Sequence, residues 1–106
     1  TGYLLEGEVL MAAQRPADAL APYREAVRRD GGAMAVIGLH RAALAANRPA
    51  EAEQALADWQ KRQPNDLAVP AYLADADLRR GDHRAAAKRY REIVARQPQN
   101  VIALNN

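Results

Sequence analysis

Apolar residues recur at helical spacing along most of the chain, and short polar interruptions break them into pairs. The stretch Leu67 to Asn100 shows the pattern most clearly. Leu67, Tyr72, Leu73 and Ala76 form the apolar side of one helix, and Arg80-Gly81-Asp82 interrupts it. Ala86, Tyr90, Ile93 and Val94 then share the face of a second helix, which Pro98 closes. Spacing of three and four residues is the signature of an amphipathic helix rather than a strand. Read this way throughout, the chain predicts six helices: α1 about Gly2–Ala13, α2 about Pro16–Arg29, α3 about Ala33–Ala46, α4 about Pro49–Gln63, α5 about Ala68–Arg80 and α6 about His83–Gln97.

The end signals agree with these bounds. Pro16 and Pro49 suit the first helical position, where the missing N–H costs nothing. Asp82 is a good N-cap for α6, and Asn47 and Gly81 suit the left-handed residue that ends a helix. Arg28, Arg29, Lys61, Arg62 and Arg96 lie near helix C-termini, where the dipole favours cations. Pro22 falls inside α2 and predicts a small kink, because it has no N–H to donate to the Asp18 carbonyl.

The pairs repeat. Pro64-Asn65-Asp66 and Pro98-Gln99-Asn100 lie 34 residues apart, as do Ala52 and Ala86, and Leu39 and Leu73. Arg15-Pro16-Ala17-Asp18-Ala19 and Arg48-Pro49-Ala50-Glu51-Ala52 lie 33 apart. Asp30-Gly31-Gly32 stands where later units carry proline. The units are expected at about 1–32, 33–66 and 67–100, with a fourth begun at 101–106. A helix pair cannot bury both its apolar faces alone, so such units stack on their neighbours.

Ala19-x3-Tyr23, Ala52-x3-Leu56 and Ala86-x3-Tyr90, with Gly7, His40 and Ala74 at the small-residue position and Pro64 and Pro98 at the exit, resemble the tetratricopeptide repeat. The resemblance covers essentially the whole chain. Glu6 stands where that family has Leu, His40 replaces a small residue, and Trp59 replaces an Ala. The resemblance implies an all-α, right-handed superhelix of antiparallel helix pairs whose first helices line a concave groove. Small residues would let helix axes approach, and Tyr23, Leu56 and Tyr90 would fill the space between units. Stability is expected chiefly from Tyr23, Trp59, Tyr90, Leu39, Leu56 and Leu73.

Composition narrows the chemistry. Asp+Glu of 13 nearly balances Lys+Arg of 15, leaving a net charge of +2 and no strong field. There is no Cys, which removes disulfides, thiolate chemistry and cysteine zinc sites. No apolar run approaches the roughly 18 residues of a membrane span. The chain starts at Thr1 and stops in Asn105-Asn106 partway through a unit, so it reads as an excised fragment. It holds no Gly-rich phosphate loop, no HExxH and no Ser. His40 and His83 fall in different units, one at a helix contact and one at a turn, and a catalytic site needs convergent partners. The expectation is a non-enzyme without cofactor or metal.

What remains is binding. Matching the family's inward positions gives Leu4, Leu5, Glu8 and Met11 on α1, Ile37, Arg41 and Leu44 on α3, and Tyr72, Asp75, Leu78 and Arg79 on α5. Glu8, Arg41 and Asp75 occupy one position in successive units with alternating sign. They form either a salt-bridge ladder or a charged strip that orients a peptide. The apolar members either receive a partner segment or pack on neighbouring helices. Some members of the family clamp a chaperone's terminal carboxylate with Lys, Asn and Arg. The matching positions here are Leu4, Glu8, Gly38, Ala68 and Tyr72, so that clamp is not expected.

Seven basic residues between Arg79 and Arg96 face only Asp82 and Glu92. Lys88–Glu92 and Glu92–Arg96 have i,i+4 spacing. Nucleic-acid binding needs interleaved exposed aromatics, and Tyr90 is expected to be buried, so this reads as a solvated helix face. GYLLEGEVLMAAQRPADAL, LHRAALAANRPAEAE and VIALNN also resemble the tetratricopeptide lipoproteins of bacterial PEP-CTERM/exosortase systems. That resemblance implies a cell-envelope or periplasmic role in exopolysaccharide-linked protein sorting. Without it a cytoplasmic location is the default. The main expectation is a scaffold that binds a protein or peptide in the concave groove. The rival is a structural segment that self-associates through its exposed ends.

Overall fold

The computed structural model describes residues 2–29 and 31–96. Among these it is all helix and turn. The six helices are α1 Gly2–Ala12, α2 Pro16–Arg28, α3 Gly32–Ala45, α4 Pro49–Arg62, α5 Ala68–Arg79 and α6 His83–Arg96. Every described boundary falls within one residue of the expected one. The expected last residue of α6, Gln97, the Pro98 exit and the fourth unit at 101–106 lie outside the described residues.

The same turn ends the first helix of every pair. Gln14, Asn47 and Gly81 take positive φ values of 61°, 63° and 83°. The next amide reaches back five residues in each case. Arg15 N–H donates to the Leu10 carbonyl at 2.9 Å, Arg48 to Ala43 at 2.7 Å, and Asp82 to Asp77 at 2.8 Å. A second bond, reaching back three residues, accompanies each: Gln14 N–H donates to Met11 at 3.0 Å, Asn47 to Leu44 at 3.1 Å and Gly81 to Leu78 at 3.0 Å. This is the Schellman arrangement, which satisfies carbonyls that the helix end would otherwise leave open. Asp82 then caps α6 by accepting from Ala85 N–H at 3.1 Å, and Asp66 accepts from Val69 N–H at 3.0 Å at the start of α5. Pro22 is accommodated within an unbroken α2 and is buried.

The chain divides into two compact units, Thr1–Pro64 and Asn65–Asn106. In the first, α1 packs on α2, α2 on α3 and α3 on α4, and α1 also touches α3. Its core joins Ala19, Leu20 and Tyr23 of α2, Leu39, Ala42 and Ala43 of α3, and Ala52 of α4. Alanine is abundant here for a geometric reason: a small side chain brings two helix axes together and leaves the volume for one large partner. That partner is Tyr23. Its ring lies over Gly7 of α1 and Gly38 of α3, where a Cβ would stand 2.8 and 2.2 Å from ring atoms. In the second unit α5 packs on α6, with Ala74 and Ala86 buried as expected of small contact residues.

Tyr90 departs from expectation. It is 40% exposed, whereas Tyr23 at the matching place is 3% exposed. The difference has a direct cause. Tyr23 is covered by a helix on each side, α1 and α3, while in its unit α6 packs on α5 alone among the described helices. Trp59, Leu39 and Leu56 are buried, and Leu73 is half-buried.

Candidate functional site

The positions expected to line a groove fall into two sets, one in each unit. In the first unit α1 and α3 lie against one another and present Leu4, Glu8 and Met11 beside Ile37, Arg41 and Leu44. Leu4 and Met11 are half-buried against the core cluster, and Ile37 is also half-buried. Glu8, Arg41 and Leu44 are exposed, Leu44 at 48%, and Leu5 still more so at 61%. Glu8 and Arg41 both act on Tyr23. Burial raises the Tyr23 phenol above its ordinary pKa, Glu8 adds to the rise and Arg41 opposes it.

In the second unit Tyr72 and Asp75 are half-buried, and Leu78 and Arg79 are exposed. Asp75 bonds Arg79 one turn along its own helix at 2.8 Å. Within the first unit Glu8 and Arg41 form no ion pair with one another, and within the second Asp75 is satisfied on its own helix. Likewise Glu92 pairs with neither Lys88 nor Arg96. Local spacing permits such exposed pairs, but each is worth only a few tenths of a kcal/mol, about 0.3–0.5, too little to fix two long side chains.

Two ion pairs that local spacing does not reveal tie helices together. Arg24 of α2 holds Glu51 of α4 with two parallel bonds, Nη2 to Oε1 being 2.7 Å. The Arg24 bonds hold the Glu51 carboxyl below the usual carboxylate range against its partial burial. Asp77 of α5 is buried, only 4% exposed. Its Oδ2 accepts from Arg89 Nε of α6 at 2.8 Å, and its Oδ1 accepts from Arg80. One signal was present in the sequence: Asp77 stands 34 residues after Ala43, a core alanine, so a carboxylate there must bring its own cation. Arg24 and Glu51 are 27 residues apart, a separation no repeat or helix period marks.

The histidines stay apart. His40 is buried in α3, and burial lowers its pKa while Glu53 of α4 resists the shift. His83 is exposed at the first position of α6. Among the described residues no cluster of His, Asp and Glu has metal-holding geometry, and no helix is long and apolar enough to cross a membrane. Of the positions matching a carboxylate clamp, Gly38 lies beneath the Tyr23 ring.

Antiparallel helix pairs closed by one recurring turn, with a large side chain seated on glycines of its neighbours, define a helical-repeat protein. The family profile described as Tetratricopeptide repeat matches residues 4–66 and 73–106. The chain belongs to the tetratricopeptide repeat family. Comparison with curated proteins and with solved structures gave no match.

Proposed function

We propose that the chain is a non-catalytic scaffold, built as three units at about 1–32, 33–66 and 67–100, that receives a protein or peptide segment along its first-of-pair helices. Membership of a family of protein-interaction repeats supports this reading. The observation that carries it is the exposed trio Glu8, Arg41 and Leu44 on adjoining α1 and α3: an aliphatic side chain and two opposite charges that form no ion pair among the described residues. Such a surface gives a bound segment both direction and an apolar anchor. Peptides selected from a random library on the 106-residue chain test it. Binding should fall about tenfold or more in Leu44→Asp and in Glu8→Ala/Arg41→Ala with helicity retained. Peptides that bind all three proteins alike would refute the site.

Self-association is the second reading, and one observation favours it. Leu5 and Val9 of α1 are 61% and 58% exposed, and Tyr90 and Val94 of α6 are 40% and 50% exposed. Exposed apolar side chains in each of the two units give copies of the chain surfaces through which to associate. Light scattering on dilution discriminates, since a scaffold stays monomeric and a self-assembling segment does not.

The finer reading places the parent protein in exosortase-linked sorting and exopolysaccharide export at a bacterial envelope. Its support is the resemblance of the stretches from Gly2, from Leu39 and from Val101 to lipoproteins of those systems. An upstream signal peptide ending at a lipidated cysteine is its expected mark, and a parent reading frame without one removes it.

A further inference from the structure

The second-of-pair helices of the first unit carry a surface of their own, on α2 and α4 rather than α1 and α3. These two helices flank an open groove of about 660 Å³. Val27, Leu39 and Ala55 contribute its apolar part. The Arg24–Glu51 pair joins the two helices beside it. Arg28 of α2 and Lys61 and Arg62 of α4 add cations near the C-terminal ends of the helices.

The charge is unbalanced in a way that points to an occupant. Of the two carboxylates in the lining, Glu51 is fully engaged by Arg24, and Asp58 accepts from Gln54 at 2.8 Å. Lys61 and Arg62 make no ion pair with any described residue, and Arg62 lies over the Trp59 ring at 5.6 Å from its centre. Arg28 shares Glu25 with Arg29. The lining thus holds four cations against two carboxylates, one of which, Glu51, is already paired with Arg24.

We propose that this groove between α2 and α4 binds a short acidic peptide segment carrying one aliphatic residue, its carboxylates paired with Arg28, Lys61 and Arg62 and its aliphatic side chain on Val27, Leu39 and Ala55. From Glu51 to Arg62 the α4 wall runs about 16 Å, the span of about five extended residues. A phosphate backbone fits less well, because it brings no aliphatic group for the floor formed by Val27, Leu39 and Ala55.

Trp59 is the only tryptophan and reports from beside Arg62. The experiment titrates the whole chain with the blocked peptide Glu-Asp-Leu-Glu-Asp and follows Trp59 emission, with calorimetry in parallel. Saturable binding is expected, weakening about tenfold as NaCl rises from about 50 to about 300 mM. Arg28→Glu/Lys61→Glu should abolish it with circular dichroism unchanged, since both side chains are exposed. Glu8→Ala/Arg41→Ala should leave it intact, which separates this groove from the α1–α3 surface. The salt dependence of the unsubstituted chain reads the same electrostatics should the double variant unfold. No binding at low salt, equal binding by the folded double variant, equal binding of Lys-Lys-Leu-Lys-Lys, or equal displacement by a single-stranded oligonucleotide would each overturn the proposal.

Discussion

Tyr23 shows how one residue sets the distance between helices. Its ring fills the space that Gly7 and Gly38 leave, so a methyl at either site must displace it. Gly38→Ala should gain about 1 kcal/mol of helix propensity but lose more to overpacking, for a net cost of about 1–3 kcal/mol. Gly7→Ala should cost less, because its Cβ would meet the ring at 2.8 Å rather than 2.2 Å. In a Tyr23→Leu background the Gly38→Ala penalty should shrink, and urea unfolding of the four proteins measures that coupling. His40 gives the residue scale a pH dependence. Its folded pKa lies below the ordinary value because burial penalises the imidazolium. Between the two values the unfolded chain binds more protons, so stability is complete above about pH 6.5 and falls as pH drops toward the folded pKa. Urea midpoints should decline across this window, and His40→Gln should flatten the decline. Carboxylates such as Glu51, held low by its arginine, lose their contribution only at more acid pH.

At the scale of elements, each helix pair combines a turn that local chemistry specifies with contacts that it does not. The turn needs one residue at positive φ, and the three pairs fill it with Gln14, Asn47 and Gly81. A side chain in the left-handed region costs about 1–2 kcal/mol, which Asn partly offsets and Gly avoids. Gln14→Gly should therefore raise the thermal midpoint, Asn47→Gly should raise it less, and Gly81→Ala should lower it. Gly81 and Asn47 were legible as helix stops because those residue types favour that conformation. Gln14 was not, because glutamine carries no such preference and only the shared geometry of the pairs imposes it. The same distinction explains the rest. Helices were readable to within a residue, since period and proline act over a few positions. The Asp77–Arg89 contact depends on how α5 and α6 dock, and the exposed face of Tyr90 depends on which helices lie beside α6. Of the proposed α1–α3 surface, the sequence named Glu8, Arg41 and Leu44 by family position, and all three are exposed. It could not separate them from Leu4 and Met11, which the core partly claims. Asp77 also makes a testable link. Arg89→Met leaves a buried carboxylate with Arg80 alone and should cost about 2–4 kcal/mol. Asp77→Leu/Arg89→Met should recover much of this loss, because the desolvated charge is gone as well.

At the scale of the molecule, a repeat array spreads its stability through neighbour contacts, so a helix covered on two sides should outlast one covered on one side. Helix α2 lies between α1 and α3, and α3 lies between α2 and α4. Together they supply most of the first unit's core cluster. Among the described helices of its unit, α6 packs on α5, and it buries Ala86 alone among its described residues. Local opening costs least where buried apolar contact is thinnest. Amide exchange should therefore be slowest in α2 and α3 and fastest in α6. Loosening the second unit with Ala86→Gly, which removes its one buried side chain in α6 and about 1 kcal/mol of helix propensity, should speed exchange in α5 and α6. Exchange in α2 and α3 should hold its rate, because their cover comes from within Thr1–Pro64. A uniform acceleration across all six helices would instead mean that the chain opens as one cooperative body, and that the neighbour-contact account of its stability is wrong.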